Sequence, residues 1–296
     1  MDERQDAATV RQYGISLPGL RMHVREAGAG QPVLMLHGFP QSGREFAPVM
    51  EDLARDRRVI APDLRGAGQT DAPAAGYDTA TVQSDIIALM DALEIDRASL
   101  VAHDWGAIVG FDLCLNHPER FTEYVAIAVP APYLRRTPAL AGALVRAVPH
   151  LWFQWVIATP VLGPRLLSHG RQRLARWILG AFETKPMRTG DVEAYVATLR
   201  DPAHAAAASK LYRGVILPGF SKAIRGTYRG RMLTTRTLIL FGADDALLPR
   251  DALSVSSEDA PDTTVEFVPG GAHYLVDDNP TAVAARIRTF LGLPER

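Results

Sequence analysis

Apolar residues in this chain gather into short continuous runs, separated by stretches whose apolar positions repeat at helical spacing. Two strand-length runs, around Val10–Ser16 and Arg21–Arg25, open the sequence with a Pro-Gly turn between them. Further runs follow at Val33–His37, Arg58–Ala61, Ser99–His103, Tyr124–Val129, Thr237–Phe241 and Thr264–Val268. Runs without polar alternation are the pattern of strands covered on both faces. Over 78–94, Val82, Ile86, Met90 and Leu93 share one face of a predicted helix that Asp78 or Thr79 can cap. The last predicted helix has Asn279 as its cap, Pro280 in its first turn, a stripe of Val283, Ile287 and Phe290, and Gly292 at its end. Strands alternating with helices predict an α/β fold, a mostly parallel central sheet flanked by helices.

The alternation stops near Pro130 and resumes near Thr237. Between them lie Trp152, Trp155 and Trp177, several prolines and helical patterns. The expected organisation is a core domain of residues 1–130 and 231–296, with residues 131–230 inserted as a helical cap. Such a cap would cover the C-terminal ends of the strands, where open α/β sheets bind ligands.

Composition narrows the classes. With 47 % hydrophobic and 22 % charged residues the chain reads as an ordinary globular protein. A net charge of −1, with scattered arginines, predicts no nucleic-acid partner. The single cysteine, Cys114, has no internal disulfide partner, and no Cys/His spacing suits a metal, so no metal or cofactor is expected. The leading MDERQDAATVRQ is polar, without an apolar signal core. The most apolar stretch, Leu140 to Leu167, is broken by Arg146, Pro149, His150, Pro160 and Pro164, whereas a membrane span needs about 20 apolar residues in a row. A cytoplasmic protein without a membrane partner is expected, and a homodimer is admitted.

The candidate chemistry begins at residues 101–110, VAHDWGAIVG. This is the small-x-nucleophile-x-Gly turn between strand and helix that often carries a catalytic serine, and here it carries Asp104. An Asp after a strand is commonly just a helix cap, but three other stretches weigh against that reading. Leu36-His37-Gly38-Phe39-Pro40 ends a strand, where backbone N–H groups form an oxyanion hole; this assigns the donors to Phe39 and Trp105. Gly242-Ala243-Asp244-Asp245 follows another strand and offers an acid to orient a histidine; Asp245 is preferred from its offset, with Asp244 the competitor and one of the two able to cap a helix after Pro249. Gly270-Gly271-Ala272-His273 supplies the histidine. The order nucleophile, acid, histidine is that of α/β-hydrolases.

The segments His37-Gly-Phe-Pro-Gln41, Ala61-Pro-Asp-Leu-Arg65-Gly66 and His103-Asp104-Trp105-Gly106, with the Asp245/His273 pair, resemble the epoxide hydrolase and haloalkane dehalogenase branch of the α/β-hydrolase family. A carboxylate is anionic at neutral pH without help. Its attack on an ester or amide gives an anhydride that reverts, whereas attack on an sp³ carbon bearing a strained ring oxygen or a halide gives an alkyl ester. His273 would then activate water against that ester. The expected activity is opening of an apolar epoxide to a vicinal diol with water. A haloalkane dehalogenase using the same Asp, and a non-catalytic ligand-binding protein on the same scaffold, remain as alternatives.

In epoxide hydrolases two lid tyrosines protonate the leaving oxygen. The resemblance points to Tyr212, followed by Arg213, as one of them, with Tyr228 second and Tyr133 and Tyr195 as further candidates. The place of the other tyrosine holds Trp152 or Phe153. Trp105 also matches a halide-cradling position, while Phe39 stands where many haloalkane dehalogenases have a polar donor. Fluoroacetate dehalogenases clamp a carboxylate with two arginines where this chain has Trp105 and Ile108. The resemblance thus implies a pocket of His37, Ile108, Trp152 and Phe153.

Overall fold

The computed structural model describes residues 9–134, 138–245 and 258–294, the side chains of 139–141, 143, 144 and 147 excepted. The helix expected after Pro249 lies outside the described residues. The apolar runs form strands β1 (Arg11–Leu17), β2 (Leu20–Ala27), β3 (Pro32–Leu36), β4 (Arg58–Pro62), β5 (Ala98–His103), β6 (Phe121–Ile127), β7 (Arg236–Gly242) and β8 (Thr263–Val268). They join in one sheet of order β1-β2-β4-β3-β5-β6-β7-β8. β1 pairs antiparallel with β2, and β2 with β4; every later pairing is parallel. β6 starts three residues before the predicted Tyr124 and stops two short of Val129.

Side chains alternate between the two faces of a strand, and two apolar cores result. On one face Leu34, Ile60, Leu100, Ala102, Tyr124 and Ile239 pack under helices α2 (Thr79–Ala92) and α3 (Trp105–Asn116). On the other, Val33, Val59, Val101, Val125 and Leu238 meet α1 (Ala47–Leu53) and α11 (Pro280–Phe290). Asp78 caps α2, accepting a hydrogen bond from the Thr81 N–H at 3.0 Å, and the Asn279 side chain accepts from Ala282 N–H to cap α11.

Between β6 and β7 the chain leaves the sheet and forms α4 (Pro138–Ala158), α5 (Leu162–Ser168), α6 (Arg173–Ala181), α7 (Thr189–Thr198), α8 (Pro202–Leu211) and α9 (Leu217–Arg225). A single π turn, Tyr212–Ile216, links α8 to α9. The strand order reverses around β3, with β4 on one side and β5 on the other. That switch point is where parallel sheets open a crevice at the strand ends, and both the His37-Gly38-Phe39-Pro40 turn and Asp104 lie there. A short helix, α10 (Leu275–Asp278), follows the His273 loop.

Candidate active site

Asp104 sits between β5 and α3 with φ 46° and ψ −114°, a conformation that a side-chain-bearing residue adopts only under strain. The turn is tight because its neighbours lack side chains. A Cβ on Gly106 would stand 2.2 Å from the Leu36 carbonyl oxygen, and one on Gly38 would stand 2.7 Å from the Asp104 Cβ. The carboxylate is thereby pushed up into the crevice. Its Oδ2 accepts the Phe39 N–H at 3.0 Å, and its Oδ1 lies 3.6 Å from His273 Nε2. Trp105 opens α3, and the first N–H of a helix has no intrahelical partner. Phe39-Pro40 is a cis peptide.

On the far side of the imidazole, His273 Nδ1 faces Asp245 Oδ2 at 3.8 Å, an ion-pair separation longer than a hydrogen bond. Asp244 is exposed, with its N–H on the Gly271 carbonyl. Burial disfavours charge on both Asp104 and His273. Their mutual attraction outweighs it, holding the Asp104 carboxyl below its ordinary range and raising His273 to about 10, with Asp245 adding to the latter.

Asp104, Trp105, Ile108, Phe39, Phe153, Tyr212, Asp245 and His273 border one cavity of about 410 Å³, otherwise walled by residues such as Leu151, Phe182, Leu217 and Phe241. Tyr212 is buried and packs edge-on to Phe39 and Trp105, with ring centroids 5.5 and 4.9 Å away. Burial, and then the charge of Asp104, hold its hydroxyl well above the ordinary tyrosine value.

Two pocket expectations are corrected. His37 does not line the cavity: it is buried beneath the turn, where Nδ1 bonds the Gly38 carbonyl at 2.7 Å and Nε2 accepts the Leu64 N–H at 2.9 Å. Trp152 does not line it either, because it points outward, 44 % exposed, against Trp177. The competing tyrosines also sit elsewhere. Tyr228 is buried outside the cavity lining, with Asp112 beside it, the Tyr133 hydroxyl donates to the Arg231 carbonyl at 2.8 Å, and Tyr195 is buried outside the cavity lining.

The α/β hydrolase fold family matches residues 31–280. The chain is an α/β hydrolase. Among its relatives, epoxide hydrolase 4 of Mus musculus is 28 % identical over 291 residues, covering 92 % of this chain and 77 % of that one. An epoxide hydrolase of Caballeronia sordidicola is 41 % identical over 124 residues, which covers 41 % of this chain and 38 % of that protein. The crystal structure of Cfl2 from Burkholderia cenocepacia superposes with a TM-score of 0.82 at 26 % identity, covering 97 % and 98 % of the two chains.

Sequence reasoning passed over two residues behind the site of this α/β hydrolase. Glu45, fully buried, accepts the Gly38 N–H at 3.3 Å and faces His103 Nδ1 at 3.2 Å. The other nitrogen of His103 lies 2.9 Å from the His273 carbonyl oxygen. With an acceptor on each side, both ring nitrogens carry protons. Burial opposes that charge, but Glu45 outweighs it and raises the His103 pKa. The pair thus ties the turn holding Phe39 to the loop holding His273. Glu45→Ala leaves an unbalanced buried imidazolium and is expected to cost about 3–5 kcal/mol in a urea titration; a loss below about 1 kcal/mol would refute the buried pair.

Proposed function

We propose that this α/β hydrolase opens an apolar epoxide to a vicinal diol through an ester on Asp104. Oδ1 of Asp104 attacks a ring carbon, the C–O bond breaks, and the alkoxide takes the Tyr212 hydroxyl proton. His273 then takes a proton from water, whose oxygen attacks Asp104 Cγ. The tetrahedral oxyanion develops on Oδ2, the oxygen already held by the Phe39 N–H, with the Trp105 N–H as second donor. Its collapse expels the diol oxygen, which receives the proton from His273; the second proton of the attacking water then leaves the new carboxyl and returns to Tyr212, which restores both the carboxylate and the tyrosine.

The observation that carries this reading is a strained, anionic Asp104 in an apolar cavity that also holds the Tyr212 hydroxyl. Tyr212 stays protonated because burial and Asp104 disfavour tyrosinate, so it has a proton to give. Names of the relatives point the same way.

The test is product analysis with styrene oxide and, separately, 1-bromobutane. Diol from the first and no bromide from the second is expected. Tyr212→Phe should slow the epoxide reaction by about 10²–10⁴-fold, the contribution typical of a general acid. Bromide release that outpaces diol formation, unaffected by Tyr212→Phe, would assign the site to dehalogenation. No turnover of either, with the ligand pocket intact, would leave the binding-protein reading.

A further inference from the structure

The cavity uses the inner wall of the helical insertion, and an apolar face continues from the cavity mouth onto its outside. Val145, Val148, Trp152 and Trp155 of α4 recur three, four and three residues apart and so share one side of that helix. All four are exposed, Trp155 by 67 %. Trp177 of α6, also exposed, meets Trp152 with ring centroids 5.3 Å apart and extends the same face. Val148 and Trp155 line the cavity as well, so the apolar strip runs up to the cavity mouth. Contiguous exposed apolar surface of this kind marks an interaction site.

Charge on the insertion as a whole is one-sided. Residues 131–230 hold 15 Lys and Arg against 4 Asp and Glu, while the remainder holds 17 against 29. A near-neutral chain is therefore an insertion of +11 joined to a remainder of −12. Arg146, Arg165, Arg171 and Arg173 are exposed, and Arg173 lies one helical turn before Trp177. Three of the four acids are already in contact with cations or a histidine: Asp191 with Arg44 and Arg188, Glu193 with Arg176, Asp201 with His204.

We infer that this face docks on the surface of an anionic phospholipid bilayer, tryptophans at the headgroup level and the cavity mouth toward the acyl chains. Tryptophan favours the membrane–water interface, and basic amphipathic surfaces bind anionic lipid through buried apolar area plus electrostatic attraction. Among the described residues no helix is long and apolar enough to cross a membrane, so the contact is peripheral. A second copy fits less well, because a two-fold pairing of these faces would oppose two strongly cationic surfaces. Vesicle binding can be read without turnover, so this inference stands or falls apart from the proposed chemistry.

The full chain should sediment with vesicles of mixed phosphatidylglycerol and phosphatidylcholine, but not with phosphatidylcholine alone. Brominated lipid should quench its tryptophan fluorescence, and raised salt should release it. Arg165→Glu/Arg171→Glu/Arg173→Glu is expected to lower partitioning at least about 100-fold, and Val145→Gln/Trp152→Gln to lower both partitioning and quenching, with unchanged melting curves for these surface changes. Three results would overturn the inference: no binding to the anionic vesicles, binding that both variants retain, or a self-association lost in Val145→Gln/Trp152→Gln without any vesicle binding.

Discussion

Replacing Asp104 with alanine should lower epoxide turnover by at least about 10⁴-fold, the scale on which enzymes lose activity when their nucleophile is removed. The size follows from the cavity. Among the described residues that border it, the other carboxylate is Asp245, which faces His273 Nδ1 on the side of the imidazole away from Asp104 and is placed to orient the histidine rather than to replace the nucleophile. The protein should remain folded, because alanine keeps the Cβ already accommodated at φ 46° and the lost carboxylate removes no core packing. In the unaltered enzyme, a single turnover in ¹⁸O-water should put the label into the Asp104 carboxylate, where water attacks, and leave the first diol unlabelled. Label confined to that diol would mean direct attack of water on the ring carbon and would sink the ester mechanism.

The second large effect is expected at His273. His273→Gln keeps the shape near Asp104 but removes the base, so attack on the epoxide should proceed while ester hydrolysis slows by about 10²–10⁴-fold. Intact mass should then rise by the mass of one epoxide per chain, and proteolysis should locate the adduct on Asp104. A variant that shows no adduct and no turnover would place His273 in the first step instead.

The pH dependence of ester hydrolysis follows from the same charges. In the free enzyme, burial disfavours the imidazolium, but Asp104 and Asp245 outweigh it and hold the His273 pKa at about 10. On the proposed mechanism, ester formation would neutralise Asp104, remove the larger of those two attractions and lower the His273 pKa, so that the residue would become a base when one is needed. A base must be neutral to act, so ester decay should rise with pH through that lowered pKa and then level off. Stopped-flow measurement of decay at several pH values checks the sign; a rate falling with pH would contradict it.

Much of the fold was legible because local rules fix it. Apolar runs bounded by Gly and Pro located the strands to within about three residues, and Asp78 and Asn279 capped the helices whose starts they marked. Boundaries drifted where pairing, not composition, ended a strand: Phe121 pairs with Ala98, so β6 begins before the apolar run does.

The side-chain directions were not legible to the same degree. Trp152 and Phe153 are adjacent in sequence, yet one points to solvent and the other into the cavity. Successive residues on a helix are turned by about 100°, and only the packing of α4 against its neighbours fixes which of two aromatic residues faces inward. His37 shows the same limit. Beside a catalytic turn it reads as a pocket residue, but two backbone groups need a partner there and draw the ring inward.

The sequence by itself determined the α/β class, the order of the elements and the chemical type at the turn, because periodicity and the identity of Asp104 are local properties. Tertiary structure decided which of the four candidate tyrosines reaches the cavity, that His273 faces Asp245 while Asp244 is exposed, and that Glu45 and His103 brace the loops behind them. The separation of charge between residues 131–230 and the rest, which a net of −1 conceals, is countable in the sequence, but its effect depends on the fold. Signs that cancel when summed along the chain do not cancel in space once the insertion packs as its own layer of helices, since Coulomb interactions depend on distance and not on position in sequence.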